Sequence, residues 1–205
     1  MKVTEVLKRR GHLCEIRFDD GTYILLDKEY ALMKDYVVGK TVSDEQANKD
    51  EDESELLRAK NRAIYYLSGA DFSVKGLSDK LIKAGFAQGA VEAAVNRMVQ
   101  LELVNDERFI ERFVERCREQ NLSKRETVEK LVLKGIARDR AKLAVEDDDG
   151  DIDRIVALIS KKYANKLEND EAVKKTVASL CRKGFSIYDI KTALKQYIKE
   201  ELNEL

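Results

Sequence analysis

The sequence predicts a mainly α-helical protein in which tandem three-helix repeats follow a small N-terminal β-hairpin region. Three observations support this prediction. Apolar residues recur at helical spacing from Leu56 onward, and a motif that contains a glycine occurs three times. In addition, Asp19-Asp20-Gly21 separates two short β-prone runs near the N-terminus. We expect nine helices in the repeats, arranged as an elongated, curved array.

The repeated motif consists of a leucine, three further residues, a glycine and a large apolar residue. Its three copies are LIKAGF at 81–86, LVLKGI at 131–136 and LCRKGF at 180–185. The glycines Gly85, Gly135 and Gly184 are therefore spaced by 50 and 49 residues. Glycine can close a helix C-terminus in the left-handed conformation without a Cβ penalty. We predict that each glycine ends the second helix of its repeat, and that the next residue folds back as an apolar cap.

The repeat period divides the chain into four segments. They are an N-terminal region with an acidic linker at 1–54 and three-helix repeats at 55–104, 105–148 and 149–205. The N-terminal region should form a small antiparallel sheet over about 2–27, covered by a short helix at 28–36. The acidic stretch SDEQANKDEDESE at 43–55 is compatible with a linker, a solvated helix or the charged beginning of the next helix.

Composition excludes several classes of protein. Hydrophobic residues make up 43% and charged residues 38% of the chain, which is typical of a folded, highly charged helical protein. No apolar run approaches the length of a membrane span and the N-terminus lacks a signal-peptide core, so we expect a cytoplasmic protein. The net charge of −1 divides into −5 over residues 1–57 and +4 over the rest. This balance argues against a protein whose main task is to coat nucleic acid.

No pattern in the sequence predicts catalysis or a cofactor. Phosphate-binding loops, dinucleotide fingerprints and the HExxH zinc motif are missing from it. The single histidine, His12, stands beside a turn glycine and is expected on the surface. Cys14, Cys117 and Cys181 are far apart, and we expect reduced thiols in the core. We therefore predict a protein that is not an enzyme.

An acidic run at 147–151, DDDGD, could suggest calcium binding. It lacks the glutamate that closes an EF-hand loop and has the wrong spacing for such a loop. We interpret it as a solvated turn between repeats.

Basic residues gather around the repeat turns and form the candidate binding set. If the repeats stack in one orientation, these residues would form a stripe facing phosphates or an acidic protein surface. The alternative is ordinary solvated helix faces with compensating glutamates. Tyr188 could add an interface anchor. The basic candidates are Lys80, Lys83, Lys124, Arg125, Lys134, Arg138, Arg140, Arg182, Lys183 and Lys191.

The segment LVNDERFIERFVERCRE at 103–119 is similar to the signature of the RecX family of bacterial regulatory proteins. The three glycine motifs resemble the tandem three-helix repeats of that family, and AIYYLSGADFSVKGLSDKL at 63–81 resembles the opening of its first repeat. The resemblance carries over Asp106 and Phe109 as signature positions that would contact the partner.

The resemblance implies a modulator of the RecA recombinase. Such a protein binds along the groove of the RecA filament on single-stranded DNA and alters its ATPase, strand exchange and co-protease role in the SOS response. It implies that the partners are the RecA filament and, within it, single-stranded DNA. We expect a monomer.

Two other functions stay open at this stage. A three-helix unit with a central glycine turn superficially resembles helix-turn-helix modules, which would make the protein an independent DNA-binding protein. Against this alternative, the candidate recognition helices lack a clear set of Arg, Asn or Gln side chains for base edges. The third possibility is a structural helical-repeat adaptor for another protein.

Overall fold

A three-stranded antiparallel sheet opens the chain in the computed structural model, which describes residues 1–163 and 169–203. Its strands pair in the order β1-β2-β3, and Gly21 occupies the β2–β3 turn with φ of 84°. The Asp-Gly turn is where the sequence predicts it. The strands are β1 (Val3–Lys8), β2 (Leu13–Phe18) and β3 (Tyr23–Asp27), followed by helix α1 (Lys28–Met33).

The rest of the described chain is helical, as predicted. The chain divides into two compact units, Met1–Val104 and Asn105–Leu205. The first unit continues with α2 (Asp44–Gly69), α3 (Val74–Lys83) and α4 (Gln88–Gln100). The second contains α5 (Asp106–Glu119), α6 (Lys124–Leu133), α7 (Arg138–Leu143), α8 (Asp151–Leu158), α9 (Asp170–Arg182) and α10 (Ile187–Asn203). One π-helical turn, Ile159–Tyr163, follows α8 directly.

The acidic stretch is helical and forms the first half of α2. Ser43 caps this helix, and α2 runs without interruption across position 54/55, the expected end of the N-terminal region. Polar side chains of α2 cover the free edge of the sheet: Glu51 accepts the amide of Leu25 at 2.8 Å, and Ser54 accepts that of Asp27 at 2.6 Å. An uncovered strand edge can pair with other chains, so α2 protects β3.

Asp50 is the centre of a buried polar cluster between α2 and the loop after α1. Its carboxylate accepts hydrogen bonds from Tyr36 (2.9 Å), Gln46 (3.0 Å) and Tyr30 (3.2 Å) and lies 3.0 Å from the Lys34 ammonium. Burial by itself would raise the pKa of Asp50. The hydrogen bonds from its partners outweigh burial and hold the pKa of this carboxyl below its ordinary value.

The three glycine turns have one geometry. Gly85, Gly135 and Gly184 have φ of 91°, 89° and 92°. In each turn the glycine amide and the next amide bond back to carbonyls of the last helical turn, which is the Schellman motif. The predicted closure of helices α3, α6 and α9 by glycine is therefore confirmed.

Apolar contacts accompany each closure. The leucines four residues before the glycines, Leu81, Leu131 and Leu180, are completely buried. The following residues, Ile136 and Phe185, are also buried, while Phe86 is half-buried. Each turn thus anchors the end of one helix in the core.

The third helix of the middle repeat has only 6 residues. Helix α7 ends at Leu143, so Ala144 is its C-cap and Val145 lies beyond it. The completely buried small residue is Ala141, whereas Ala144 is only half-buried. Close helix contact in this repeat is therefore made at Ala141.

Two glycine substitutions separate backbone strain from close packing. Gly85→Ala meets no atom within 4 Å, so only the left-handed φ should cost stability, by about 1–2 kcal/mol. Gly184→Ala places a Cβ 2.7 Å from the hydroxyl oxygen of Ser123 and should cost a further ~1–3 kcal/mol. Urea unfolding of each variant measures both effects.

The control is Gly89→Ala within α4, where φ is not left-handed and the space is open. It should leave stability unchanged or raise it by about 0.5–1 kcal/mol. Equal losses for Gly85→Ala and Gly184→Ala would contradict the packing contact at Gly184.

The cluster around Asp50 predicts a pH-dependent stability. Because the folded pKa of Asp50 lies below its unfolded value, its contribution is present above about pH 4 and is lost as the pH falls through the folded pKa. Asp50→Asn should lower the free energy of unfolding at neutral pH by about 1–3 kcal/mol and weaken its pH dependence in acid. Urea unfolding over a pH series tests this.

Asp52→Asn, an exposed position on the same helix, is the matched control and should behave like the unsubstituted protein. An acid limb of the stability curve that is the same in Asp50→Asn and the unsubstituted protein would refute the role given to Asp50.

Candidate partner-binding surface

The hydroxyl of Ser123 joins the beginning of α6 to the end of α9. It accepts the amide of Glu126 at 3.1 Å, which caps α6, and donates to the carbonyl oxygen of Lys183 at 2.7 Å. Ser123 is completely buried, so both hydrogen bonds are shielded from water. One side chain thereby fixes two helix ends that are far apart in the sequence.

Gly184 makes this contact possible. A Cβ atom at its position would lie 2.7 Å from the Ser123 hydroxyl oxygen and 3.1 Å from Cβ of Arg125. Arg125 therefore lies directly beside the turn that follows α9. This proximity brings together four of the predicted basic residues, which we call the basic joint: Lys124, Arg125, Arg182 and Lys183.

The positive charge of the basic joint is largely unneutralised within the described chain. Over residues 1–163 and 169–203, no carboxylate lies within ion-pair distance of Arg125, Arg182 or Lys183. Lys124 donates to the backbone carbonyl of Glu146 at 3.4 Å. Arg125 and Arg182 are exposed, and the two lysines are half-buried. Such cations are suited to bind phosphate or carboxylate oxygens.

Two other predicted arginines are neutralised by neighbouring carboxylates. Arg138 makes a two-pronged contact with Glu129 at 2.7 and 3.0 Å, and this hydrogen bonding holds the pKa of Glu129 below its ordinary value. Arg140 lies 2.7 Å from Glu107 and 3.7 Å from Asp106. For these two residues the structure matches the compensated helix face that the sequence left open.

The remaining basic candidates are exposed at other places. Lys80 and Lys83 lie in the last turn of α3 in the first unit, with the Lys80 ammonium 5.4 Å from the centre of the Tyr66 ring. Lys134 and Lys191 are exposed in the second unit. Tyr188, in the first turn of α10, is 76% exposed and thus accessible to a partner.

The signature residues Asp106 and Phe109 have structural positions. Phe109 is 5% exposed and stacks on Phe113 at 5.7 Å within the core of the second unit. The expectation that Phe109 touches a partner does not fit this burial, so we assign Phe109 to packing. Asp106 is the first residue of α5 and faces Arg140.

The acidic run DDDGD forms a turn in which Asp147 and Asp149 are exposed, as expected, but Asp148 is not solvated. Asp148 is 8% exposed and lies 2.6 Å from the guanidinium of Arg154. Arg118 approaches the same carboxylate at 3.2 Å, and Asp151 binds Arg154 at 2.7 Å. Asp148 and Asp151 therefore belong to an ion-pair cluster that ties α5 to the beginning of α8.

Burial and pairing act in opposite directions in this cluster. Burial would raise the pKa of Asp148, but hydrogen bonds from Arg154, Gly150 and Arg118 hold it below its ordinary value. Burial raises the pKa of Asp151 in spite of its contact with Arg154. Arg118 and Arg154 were not predicted from the sequence as members of a site. The only available signal was the spacing of Asp151 and Arg154, three residues apart on one helix.

Other residues occupy the positions expected from the sequence. His12 is exposed beside Gly11, and the thiols of Cys14 and Cys117 are buried and free, with Cys181 half-buried. Burial raises the pKa of the Cys117 thiol. Within the described residues, no group of three or more His, Cys, Asp or Glu side chains is placed to hold a metal ion. No described helix is long and apolar enough to cross a membrane.

Comparison with known proteins identifies relatives along nearly the whole chain. A family model described as RecX, first three-helix domain, matches residues 59–98. The regulatory protein RecX of Caldanaerobacter subterraneus subsp. tengcongensis is 28% identical over 198 residues, which is 95% of this chain and 98% of the relative. Its counterpart in Clostridioides difficile is 29% identical over 206 residues, or 98% and 93% of the two chains.

Solved structures show the same fold. A crystal structure of regulatory protein RecX aligns with a TM-score of 0.66 and 16% identity, covering 95% of this chain and 98% of that one. RecX from Lactobacillus salivarius aligns with a TM-score of 0.62 and 24% identity over 70% of this chain and 96% of that one. The match to the family model, the near full-length relatives and the shared fold agree. Together these similarities support a RecX family protein.

Proposed function

We propose that this protein binds the RecA filament on single-stranded DNA and modulates its ATPase, its strand exchange and its co-protease activity in the SOS response. In this role it acts by binding and catalyses no reaction. Similarity to the RecX family supports the regulatory class, since the relatives are named regulatory proteins. We further propose that it acts in the cytoplasm as a monomer.

The basic joint is the observation that carries the proposal for this chain. A filament of recombinase and single-stranded DNA presents phosphates and protein carboxylates. Arg125 and Arg182 are exposed and have no carboxylate partner in the described residues. Guanidinium groups bind both kinds of oxygen in two-pronged geometry, so the joint suits either component of the filament. Tyr188, in the first turn of α10, offers exposed contact area in the same unit.

The proposed contact set is smaller than the set predicted from the sequence. It keeps the basic joint with Lys134, Tyr188 and Lys191 in the second unit, and Lys80 and Lys83 in the first. Arg138 and Arg140 contribute less, because binding a partner would first require breaking their contacts with Glu129 and Glu107. The proposed binding units remain the three-helix repeats at 55–104, 105–148 and 149–205.

An independent DNA-binding protein is the second candidate. The same unpaired cations would attract the phosphates of bare DNA, with an affinity that falls steeply as salt rises. Helices α9 and α10, joined at Gly184, have the outline of a helix-turn-helix module. This candidate predicts firm binding to bare DNA without any recombinase.

The deciding experiment measures the steady-state ATPase of a cognate RecA on single-stranded DNA. This protein is added from far below stoichiometric amounts upward, and binding to bare DNA is measured in the same salt. The filament proposal predicts a changed ATPase at concentrations where bare DNA binding is negligible. An unchanged ATPase together with firm binding to bare DNA would establish the second candidate instead.

Removal of two cations from the basic joint should weaken the effect. The double variant Arg125→Gln and Arg182→Gln loses two charged contacts, so the concentration for half-maximal effect on the ATPase should rise at least roughly tenfold. Lys175→Gln is the matched control: it removes an exposed charge on α9 that already pairs with Glu171. The same titration curve for the double variant and the control would refute the role of the basic joint.

A further inference from the structure

A cavity of about 430 Å³ lies in the first unit, between the β1–β2 turn and one face of α2. Its wall contains basic, aromatic and amide side chains together. The residues that matter for recognition are Arg10, Arg58, Asn61, Arg62, Tyr65 and Phe86. A volume of this size is typical of small-molecule sites, which run from about 300 to 1,000 Å³.

The three arginines of this cavity have no carboxylate partners. Within residues 1–163 and 169–203, no carboxylate lies within ion-pair distance of Arg10, Arg58 or Arg62. The neighbouring Arg9 and Arg17, by contrast, both bind Glu15, at 2.5 and 2.7 Å. Acidic residues slightly outnumber basic ones in this chain, 39 to 38, so unpaired arginines that converge on one cavity require an explanation.

Arg58 lacks a hydrogen-bond acceptor for one of its buried atoms. Its Nε is shielded from solvent and has no partner in the described residues, an unfavourable state for a charged donor. Its guanidinium lies 5.7 Å from the centre of the Phe86 ring, which holds the side chain against the cavity wall.

The aromatic part of the wall is also accessible. Tyr65 is 66% exposed, and the Arg62 guanidinium lies 5.6 Å from the centre of its ring. A planar base can stack on such a ring or on a guanidinium plane. The side-chain amide of Asn61 adds a donor and an acceptor at the same wall.

The single carboxylate in the wall does not oppose an anion strongly. Asp27 caps α1, and its side chain already accepts the amides of Glu29 and Tyr30. Three arginines against this one engaged carboxylate leave the cavity with an excess of positive charge.

We propose that this cavity binds a nucleotide. The guanidinium groups of Arg10, Arg58 and Arg62 hold the phosphate, and the ring of Tyr65 stacks on the base. An inorganic anion would use the arginines alone, and an acidic peptide would leave the aromatic face without a planar partner. The nucleotide is either a free nucleoside phosphate or one unit of a single-stranded polynucleotide, since both present the same chemistry. This inference does not depend on the proposed binding to the recombinase filament.

Isothermal titration calorimetry of the full chain, without any recombinase, tests the proposal. The probes are ATP, a short oligodeoxythymidylate and inorganic phosphate, each at the same ionic strength. We expect saturable binding of ATP or of the oligonucleotide, with phosphate weaker at least tenfold. Preference for ATP assigns a free nucleotide, and preference for the oligonucleotide assigns a polynucleotide unit. Binding of neither, or equal binding of phosphate, would overturn the proposal.

Substitutions then locate the binding. Arg62→Gln changes an exposed residue and should weaken binding on the order of tenfold, and Tyr65→Leu should weaken ATP more than phosphate. Lys60→Gln removes the same charge from α2 outside the cavity and should leave the affinity unchanged. Equal loss in Arg62→Gln and Lys60→Gln would show binding to general surface charge and overturn the assignment. Thermal melting checks that each variant folds.

Discussion

The left-handed glycine at the end of α3, α6 and α9 is the constraint on which the helical part of the structure depends. It reverses the direction of the chain within one residue. The backbone amide of the residue after the glycine can then donate to the carbonyl of the buried leucine, which stands four residues before the glycine. The last carbonyls of the helix are thereby bonded, and the next helix begins only three residues after the glycine. The same glycine turn therefore connects three pairs of helices, α3 with α4, α6 with α7 and α9 with α10.

The same closure creates the surface that we assign to the partner. Gly184 leaves room for Ser123 beside the turn, and Ser123 ties the turn to the first residue of α6. The cations of the basic joint therefore converge because Gly184 leaves room for the buried Ser123 hydroxyl, and no ion pair of the described residues holds Arg125, Arg182 or Lys183. Glu129 and Glu107, in contrast, neutralise arginines that stand on ordinary helix faces.

Much of the fold could be predicted because its signals are local. The hairpin turn, the helical periods and the glycine motifs each lie within a few residues of sequence. The first half of α2 could not be assigned to a helix from the sequence. It is held by the hydrogen bonds of its side chains to the edge of β3 and by the buried Asp50, and both are tertiary contacts. The same reason applies to Asp148 in the acidic run at 147–151, which is buried against Arg118 and Arg154 of two different helices.

The candidate site was predictable only as a set of residue types. Nothing in the sequence links Arg125 to Gly184, and nothing separates unpaired arginines such as Arg182 from paired ones such as Arg138. Phe109 could not be distinguished from a surface aromatic residue, since a signature records both packing and contact. The three arginines of the first-unit cavity were missed because they lie on two different elements and form no motif.

The central claim is that Ser123 positions the basic joint for the filament, and the most direct test removes the hydroxyl but no charge. The measurement is the affinity of Ser123→Ala for a RecA filament on single-stranded DNA. Ser73→Ala is the reference, because Ser73 caps α3 in the same way and a lost cap costs a similar ~0.5–2 kcal/mol. We predict weaker binding for Ser123→Ala and unchanged binding for Ser73→Ala. Equal affinities for the two variants would contradict the claim.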